Sequence, residues 1–233
     1  MVIQSGSESG SEWRQWDLHI HTPASFEWRG AKFDRKNPGS PANTALVDEM
    51  INALNEAEPA VFALMDYWTF DGWFALKRRL RESGAPELTK TVFPGIELRL
   101  APPMKGRLNA QVLPSNELDD QILKDFVSHL KLAENGRPLS DAALIDYARQ
   151  APSALLKHHG SKPEQVAIDD EQAYIASAKI IELICESYRE AIAKVPNDQA
   201  MPVRLKLRYK AFSYAEKDVA QPSVLLRRWR RWL

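Results

Sequence analysis

Two histidines one residue apart carry the clearest chemical signal in this sequence. His19 and His21 lie in residues 16–23, which read as a short strand that breaks at Thr22-Pro23. Residues i and i+2 of a strand point to the same face, so both imidazoles should project together from its C-terminal end, where α/β proteins build their sites. This spacing favours a divalent metal site for zinc, manganese or iron. The alternative is that two histidines end a strand by chance.

Carboxylates at two other apolar runs supply further candidate ligands. Asp66 follows residues 61–65, and Glu97 lies within residues 93–98. Each alone would be read as a solvated loop carboxylate, the usual state of Asp and Glu. Their positions at predicted strands favour a metal site instead, and Gly95 allows close approach of the backbone. Asp66 or a neighbouring histidine is also the candidate proton acceptor for a hydrolytic reaction.

A second histidine pair, His158 and His159, follows the apolar residues 154–156. If residues 154–157 form a strand, one of the two rings can face the same site, because adjacent strand residues point oppositely. We therefore include His158 and His159 as candidate catalytic residues and His159 as a candidate metal ligand. A polar turn is the equally open alternative. His129 lies at the edge of a predicted helix, and we assign it a structural or surface role.

The elements that must position these residues alternate between strands and helices. Strands are predicted at residues 16–20, 61–65, 91–100, 108–113 and 154–157, with a basic-faced strand over 203–210. Helices are predicted from an N-cap at Thr44, over 71–82, over 118–132, from Ser140-Asp141 to Gln150, and from Asp169-Asp170 to Ile192. Residues 26–43 form a long loop, a length typical of functional loops. The alternation predicts a mostly parallel α/β fold.

Composition narrows the class of protein. The chain has 233 residues, of which 44% are hydrophobic and 27% charged, values typical of one globular domain. Cys185 is the single cysteine, which excludes an internal disulfide and favours the cytoplasm. We find no apolar run of membrane-spanning length, no signal peptide and no Gly-rich nucleotide-binding motif.

The net charge of zero is unevenly placed. Residues 199–233 carry nine Lys and Arg against two acidic residues, a charge of +7, which leaves −7 for residues 1–198. The alternating basic face of 203–210 and the Arg/Trp/Leu run at 225–233 suit phosphate backbones, single-stranded bases, a membrane surface or a partner protein. We divide the chain into a flexible N-terminus (1–12), an α/β domain (13–198) and a basic segment (199–233) with a last strand and a docking helix.

Two motifs resemble those of the PHP (polymerase and histidinol phosphatase) superfamily. Residues 16–25, WDLHIHTPAS, resemble its first motif, and residues 94–97, PGIE, resemble its third. Three further stretches extend the resemblance: residues 6–16, 65–67 and 96–100. Together with the two motifs, they resemble most the PHP-like N-terminal region of TrlF-type AAA-like ATPases. The resemblance covers scattered points over the first 115 residues. It implies a distorted (β/α)7 TIM-like barrel with a cluster of divalent metals.

The resemblance also implies site residues. His19 and His21 match the first-motif ligands, Glu97 the bridging carboxylate and Asp66 the second-motif aspartate. Tyr67 and Gln111 stand where histidines are expected, and the late Asp-x-His motif has no counterpart, so one or two ions are expected instead of three.

The implied activity is that of a metal-dependent phosphoesterase. We expect a nuclease that works with a partner ATPase, with Arg99, Arg204 and Arg208 contacting phosphate. The alternative is a catalytically degenerate PHP-like subunit with an assembly or regulatory role, for example in an anti-phage defence complex.

Overall fold

The computed structural model describes residues 14–101, 108–195 and 203–204. The strands in this part of the chain are β1 (Trp16–Ile20), β2 (Val61–Tyr67), β3 (Thr91–Ala101), β4 (Leu108–Val112), β5 (Leu183–Ile184) and β6 (Val203–Arg204). The helices are α1 (Pro41–Glu56), α2 (Asp71–Arg79), α3 (Asp120–His129), α4 (Asp141–Gln150), α5 (Ser153–His158), α6 (Pro163–Ile168), α7 (Asp170–Ile180) and α8 (Cys185–Ala193). The predicted domain boundaries at 12/13 and 198/199 lie outside the described residues.

The strands form one mixed sheet. β1, β2 and β3 are parallel neighbours and β5 adds to β3 in parallel, while β4 runs antiparallel to β3 and β6 antiparallel to β4. The predicted α/β fold is confirmed, with a parallel half and an antiparallel edge. Within the described residues β1 and β6 lie at opposite ends of the strand order. Closure into a (β/α)7 barrel remains a prediction.

The parallel half of the sheet is buried because helices cover it. Phe62, Leu64, Ile96 and Leu98 all belong to the main hydrophobic core, together with residues of the helices. Full burial of such a side chain stabilises the fold by about 1.5–3 kcal/mol. Gly95 allows the predicted close approach: a Cβ there would come within 2.8 Å of the Leu64 carbonyl oxygen. This packing fixes the relative positions of β2 and β3.

Three predictions of secondary structure are wrong. Helix α1 is capped by Ser40, whose side chain accepts from the Asn43 amide, because Pro41 at the first helical position favours an earlier start than Thr44. Residues 154–157 belong to α5 and not to a strand; a short apolar run does not distinguish the two states. The single helix over 169–192 is α7, β5 and α8, because the chain turns extended at Ile181 and Leu183 then pairs beside Leu100 of β3.

No helix in the described part of the chain is both long and apolar enough to cross a membrane.

Candidate metal centre

Three predicted ligands come together at the carboxyl ends of the parallel strands. His19 lies on β1, His21 follows that strand, and Glu97 lies on β3 opposite Tyr67 of β2. One ligand atom from each of His19, His21 and Glu97 lies within 4.8 Å of the others. The two imidazole rings meet edge to face, with centroids 5.2 Å apart. Strand geometry therefore gathers side chains that are separated by up to 78 positions along the chain.

The Glu97 carboxylate is buried, and its two oxygens differ. Oε1 accepts a hydrogen bond of 3.0 Å from Asn109 Nδ2. Oε2 lies 3.1 Å from His19 Nε2, yet among the described residues no hydrogen bond of good geometry reaches it. A buried oxygen without a hydrogen bond beside two imidazoles fits a cation-binding site.

Charge around Glu97 keeps the carboxylate ionised. Burial would raise its pKa, but the contacts with His19 and Tyr67 outweigh burial, so the pKa of Glu97 lies below its ordinary value. The pKa of His21 is lowered, first by burial and then by the neighbouring His19. An ionised carboxylate and a neutral imidazole are the forms that bind metals.

Polar neighbours orient both imidazoles. Gln111 Nε2 lies 2.7 Å from His19 Nδ1, on the side of the ring away from Glu97. Ser25 Oγ lies 3.3 Å from His21 Nδ1. The His21 ring also stacks on Tyr67, with centroids 5.6 Å apart and an interplanar angle of 14°. Contacts of this kind fix the tautomer and orientation of a metal-binding histidine.

Asp66 lies near His21 and binds the turn after β1. Its Oδ1 accepts from the Thr22 amide at 2.8 Å, and its Oδ2 accepts from Thr22 Oγ1 at 2.6 Å. The carboxyl is 1% exposed, and its Oδ1 lies 4.0 Å from His21 Nδ1. Burial raises the pKa of Asp66 to about 6, against the opposing effect of the Thr22 hydrogen bonds. Asp66 holds the segment that carries His21, while its predicted roles as ligand and proton acceptor stay predictions.

A buried arginine lies on the other side of Tyr67. Arg99 is 7% exposed; its guanidinium carbon lies 4.7 Å from the Tyr67 ring centroid, and Nη1 donates to the Ala178 carbonyl at 2.7 Å. Burial, together with the charge of Glu97, raises the pKa of Tyr67 to about 12, although Arg99 opposes the rise. The Tyr67 hydroxyl thus stays protonated beside Glu97 and Arg99.

The other predicted site residues lie elsewhere or outside the description. His158 and His159 end helix α5 and do not belong to the group of His19, His21 and Glu97. The backbone of Arg204 pairs with that of Gln111 across β6 and β4, and Arg208 lies outside the described residues. The roles of these residues remain predictions.

Sequence reasoning missed the contacts that support the ligands. Asn109, Thr22 and Ser25 touch Glu97, Asp66 and His21 through hydrogen bonds. Thr22 and Ser25 adjoin the histidines in the motif and could have been suspected from that position. Asn109 had no such signal, because only the antiparallel register of β4 places it beside Glu97, two positions from the Gln111 that pairs with Glu97 directly.

Comparison with known proteins gives only remote likeness. No family model matches the chain, and no curated protein sequence matches it. An amidohydrolase from Chromobacterium violaceum aligns with 70% of this chain and 48% of its own, at 17% identity and a TM-score of 0.36. A proposed metal-dependent phosphoesterase from Bifidobacterium adolescentis aligns with 82% of this chain and 59% of its own, at 12% identity and a TM-score of 0.36. The chain thus spans less than two thirds of either structure, and the likeness is too remote to assign a function.

Proposed function

We propose that this protein is a metal-dependent phosphoesterase whose cation is bound by His19, His21 and Glu97. The observation that supports this proposal is the buried Glu97 Oε2, which lacks a hydrogen bond within the described residues and lies 3.1 Å from His19 Nε2. Two imidazoles and one carboxylate are a donor set that zinc, manganese and iron accept. Three protein ligands leave coordination positions for water and substrate, as catalytic sites require.

The chemistry divides between the cation and the side chains around it. A divalent cation at this site supplies Lewis acidity, which lowers the pKa of water and withdraws charge from a phosphoryl oxygen. Gln111 orients His19 through Nδ1, and Asp66 fixes the turn that carries His21. Because the pKa of Asp66 is about 6, this carboxyl can exchange a proton near neutral pH, and we retain it as the proton acceptor.

We propose nucleic acid as the substrate. A shallow surface groove of about 410 Å³ beside His21 is lined by Trp28 and Arg29, among other residues. An indole and a guanidinium suit stacking on bases and contact with phosphates. Arg204 and Arg208 remain candidates for further phosphate contacts, whereas the buried Arg99 donates to the Ala178 carbonyl. The +7 charge of residues 199–233 agrees with an anionic substrate. We also retain a partner ATPase and a cytoplasmic location as parts of this proposal.

Metal content and hydrolysis together test the proposed function. The untagged protein is loaded with zinc, manganese or iron and assayed on single-stranded DNA, single-stranded RNA and a chromogenic phosphodiester, beside the His19→Ala/His21→Ala double variant. We expect hydrolysis by the loaded wild type and none by the folded variant. Equal activity of both proteins would reject the assignment. A salt titration of oligonucleotide binding tests the substrate class, since affinity for phosphates must fall as salt rises.

The alternative is a degenerate PHP-like subunit that assembles or regulates a larger complex. The observation that favours it is Asp66, both of whose carboxylate oxygens are occupied by Thr22, together with Tyr67 and Gln111 at positions where the resemblance leads us to expect histidines. A loaded protein that is inactive on all three substrates yet forms a stable complex with an ATPase would support this alternative.

A further inference from the structure

We propose that the site binds one divalent cation and not two, because Asn109 holds one oxygen of Glu97, Thr22 holds both oxygens of Asp66, and the buried Arg99 guanidinium lies against Tyr67. This inference rests on the metal site of the proposed function and determines its stoichiometry.

Only one oxygen of the Glu97 carboxylate, Oε2, is free of hydrogen bonds from the described residues and so available to a cation. A carboxylate that bridges two cations donates one oxygen to each of them, so both Glu97 oxygens would have to be available. Oε1 is already held by Asn109 Nδ2 at 3.0 Å, whereas Oε2 has no hydrogen bond from the described residues. The carboxylate is therefore arranged to bind a single cation through Oε2.

A buried positive charge already lies near Glu97, because Arg99 is two residues further along the same strand, β3, and so on the same face of the sheet. Tyr67 pairs with Glu97 across β2 and β3, and the Arg99 guanidinium lies against the rings of Tyr67, Phe26 and Trp68, at 4.7, 5.8 and 5.9 Å from their centroids. A guanidinium stays charged in proteins. A second dication beside Glu97 and Tyr67 would add to this buried positive charge, in surroundings that screen charge poorly.

Asp66 offers no replacement ligand. Its two oxygens accept from the Thr22 amide and the Thr22 hydroxyl at 2.8 and 2.6 Å, and a cation would have to displace at least one of these buried hydrogen bonds. Among the His, Cys, Asp and Glu residues that the structure describes, the one group that could hold a metal consists of His19, His21 and Glu97. Three such ligands are sufficient for one catalytic ion.

The stoichiometry is measured on the full chain. The protein is stripped with a chelator, reloaded with excess Mn²⁺, freed of unbound metal by gel filtration and analysed by mass spectrometry for manganese per chain. Electron paramagnetic resonance of the same sample distinguishes an isolated Mn²⁺ ion from a coupled pair. We expect one equivalent and the spectrum of an isolated ion. Two equivalents with a coupled spectrum would overturn this inference alone, whereas a protein that binds no metal would reject the proposed function as well.

Two variants test the residues that exclude a second ion. Tyr67→His/Arg99→Gln removes the buried charge and adds a ligand, and Asn109→Ala releases Glu97 Oε1 without touching the core arginine. We expect the first variant to rise from one equivalent towards two, and the second to do so at higher metal concentration. Arg149→Gln, at an exposed ion pair with Asp170, is the matched control and should stay at one equivalent. If both site variants fold, judged by circular dichroism, and remain at one equivalent, the proposed role of these residues is wrong.

Discussion

His19 and Glu97 meet above a strand to which neither belongs. Nε2 of His19 on β1 lies 3.1 Å from Oε2 of Glu97 on β3, and β2 runs between the two strands. The contact therefore depends on how the three strands are aligned in the sheet. The residue of β2 at this level is Tyr67, which pairs with Glu97. A cation bound by both side chains would connect β1 to β3 across β2, so we expect metal binding and folding stability to be coupled.

Chelation should therefore lower the stability of the loaded protein. A ligand that binds only the folded state stabilises it by about 2.7 kcal/mol when its free concentration is a hundred times its dissociation constant. We expect thermal unfolding of the Zn²⁺-loaded protein to shift to lower temperature when the chelator is added, and the His19→Ala/His21→Ala variant to show no shift. His129→Ala, which changes a half-buried histidine at the end of α3, serves as the control, and chelation should shift its unfolding temperature as it does for the wild type.

Gln111 should tune metal affinity without binding the metal. Its side chain lies 2.7 Å from His19 Nδ1, and loss of such a supporting contact typically weakens metal binding about 10–100-fold. We expect Gln111→Ala to lose Zn²⁺ affinity by a factor in this range in a competition titration with a chromophoric chelator. Gln111→Glu puts a carboxylate oxygen where the amide nitrogen faces Nδ1; this oxygen can accept the Nδ1 proton of a metal-bound imidazole, so the variant should retain most of the affinity. An unchanged affinity of Gln111→Ala would show that His19 is oriented by other contacts.

Asp66 should make the metal-free protein less stable as pH rises. Its pKa is raised from an ordinary value of 3.8 to about 6 in the fold, so between these values the folded state binds more protons than the unfolded state. By linkage the free energy of unfolding then falls as pH rises through this window and stays lower above it. The lost stability is on the order of 3 kcal/mol, since one pKa unit corresponds to about 1.4 kcal/mol.

Asp66→Asn isolates this effect, because the amide cannot ionise but keeps the shape of the carboxyl. Urea unfolding with chelator present should show that the variant gains stability relative to the wild type between pH 4 and pH 7, by the amount given above. Parallel pH profiles of the two proteins would contradict the raised pKa of Asp66.

Gly72 should tolerate no side chain. A Cβ at this position in α2 would lie 2.2 Å from Thr22 Oγ1 and 2.5 Å from Asp66 Oδ2, which would separate the two residues that fix the turn after β1. Overpacking of this kind costs about 1–3 kcal/mol, and we expect Gly72→Ala to lose both stability and metal affinity. Gly39→Ala is the matched control, because a Cβ there meets nothing within 4 Å. Equal effects of the two substitutions on Zn²⁺ affinity would contradict the role of the Thr22–Asp66 pair.

The nucleic-acid half of the proposed function is tested at the groove beside His21. Arg29 lines that groove, and loss of one phosphate contact should weaken binding of single-stranded oligonucleotides of any sequence and reduce the salt dependence by about one unit of slope. We expect this behaviour for Arg29→Ala in fluorescence anisotropy. Arg189→Ala changes an exposed arginine on α8 that pairs with Glu186, and should leave binding unchanged. If Arg29→Ala has the same salt dependence of binding as the wild type, Arg29 does not contact a phosphate.

The sequence by itself determined the strands that carry the ligands and three of the side chains that meet. The alternation of His19 and His21 and the apolar runs before Asp66 and around Glu97 are local patterns, and local patterns follow from the period of a strand. The runs at 61–65, 91–100 and 108–113 agree with β2, β3 and β4. The run at 154–157 did not, because a few apolar residues suit a helix as well as a strand, and tertiary packing chooses between them.

Only the tertiary structure decided which polar groups support the site. Asn109 reaches Glu97, and Gln111 reaches His19, because β4 lies antiparallel on β3 in one particular register. Likewise, Arg99 lies against Tyr67 because neighbouring strands of the sheet set the two side chains side by side. Such contacts join residues 12 to 92 positions apart, and no local period encodes them. They depend on strand order and register, which are set by how the whole core packs.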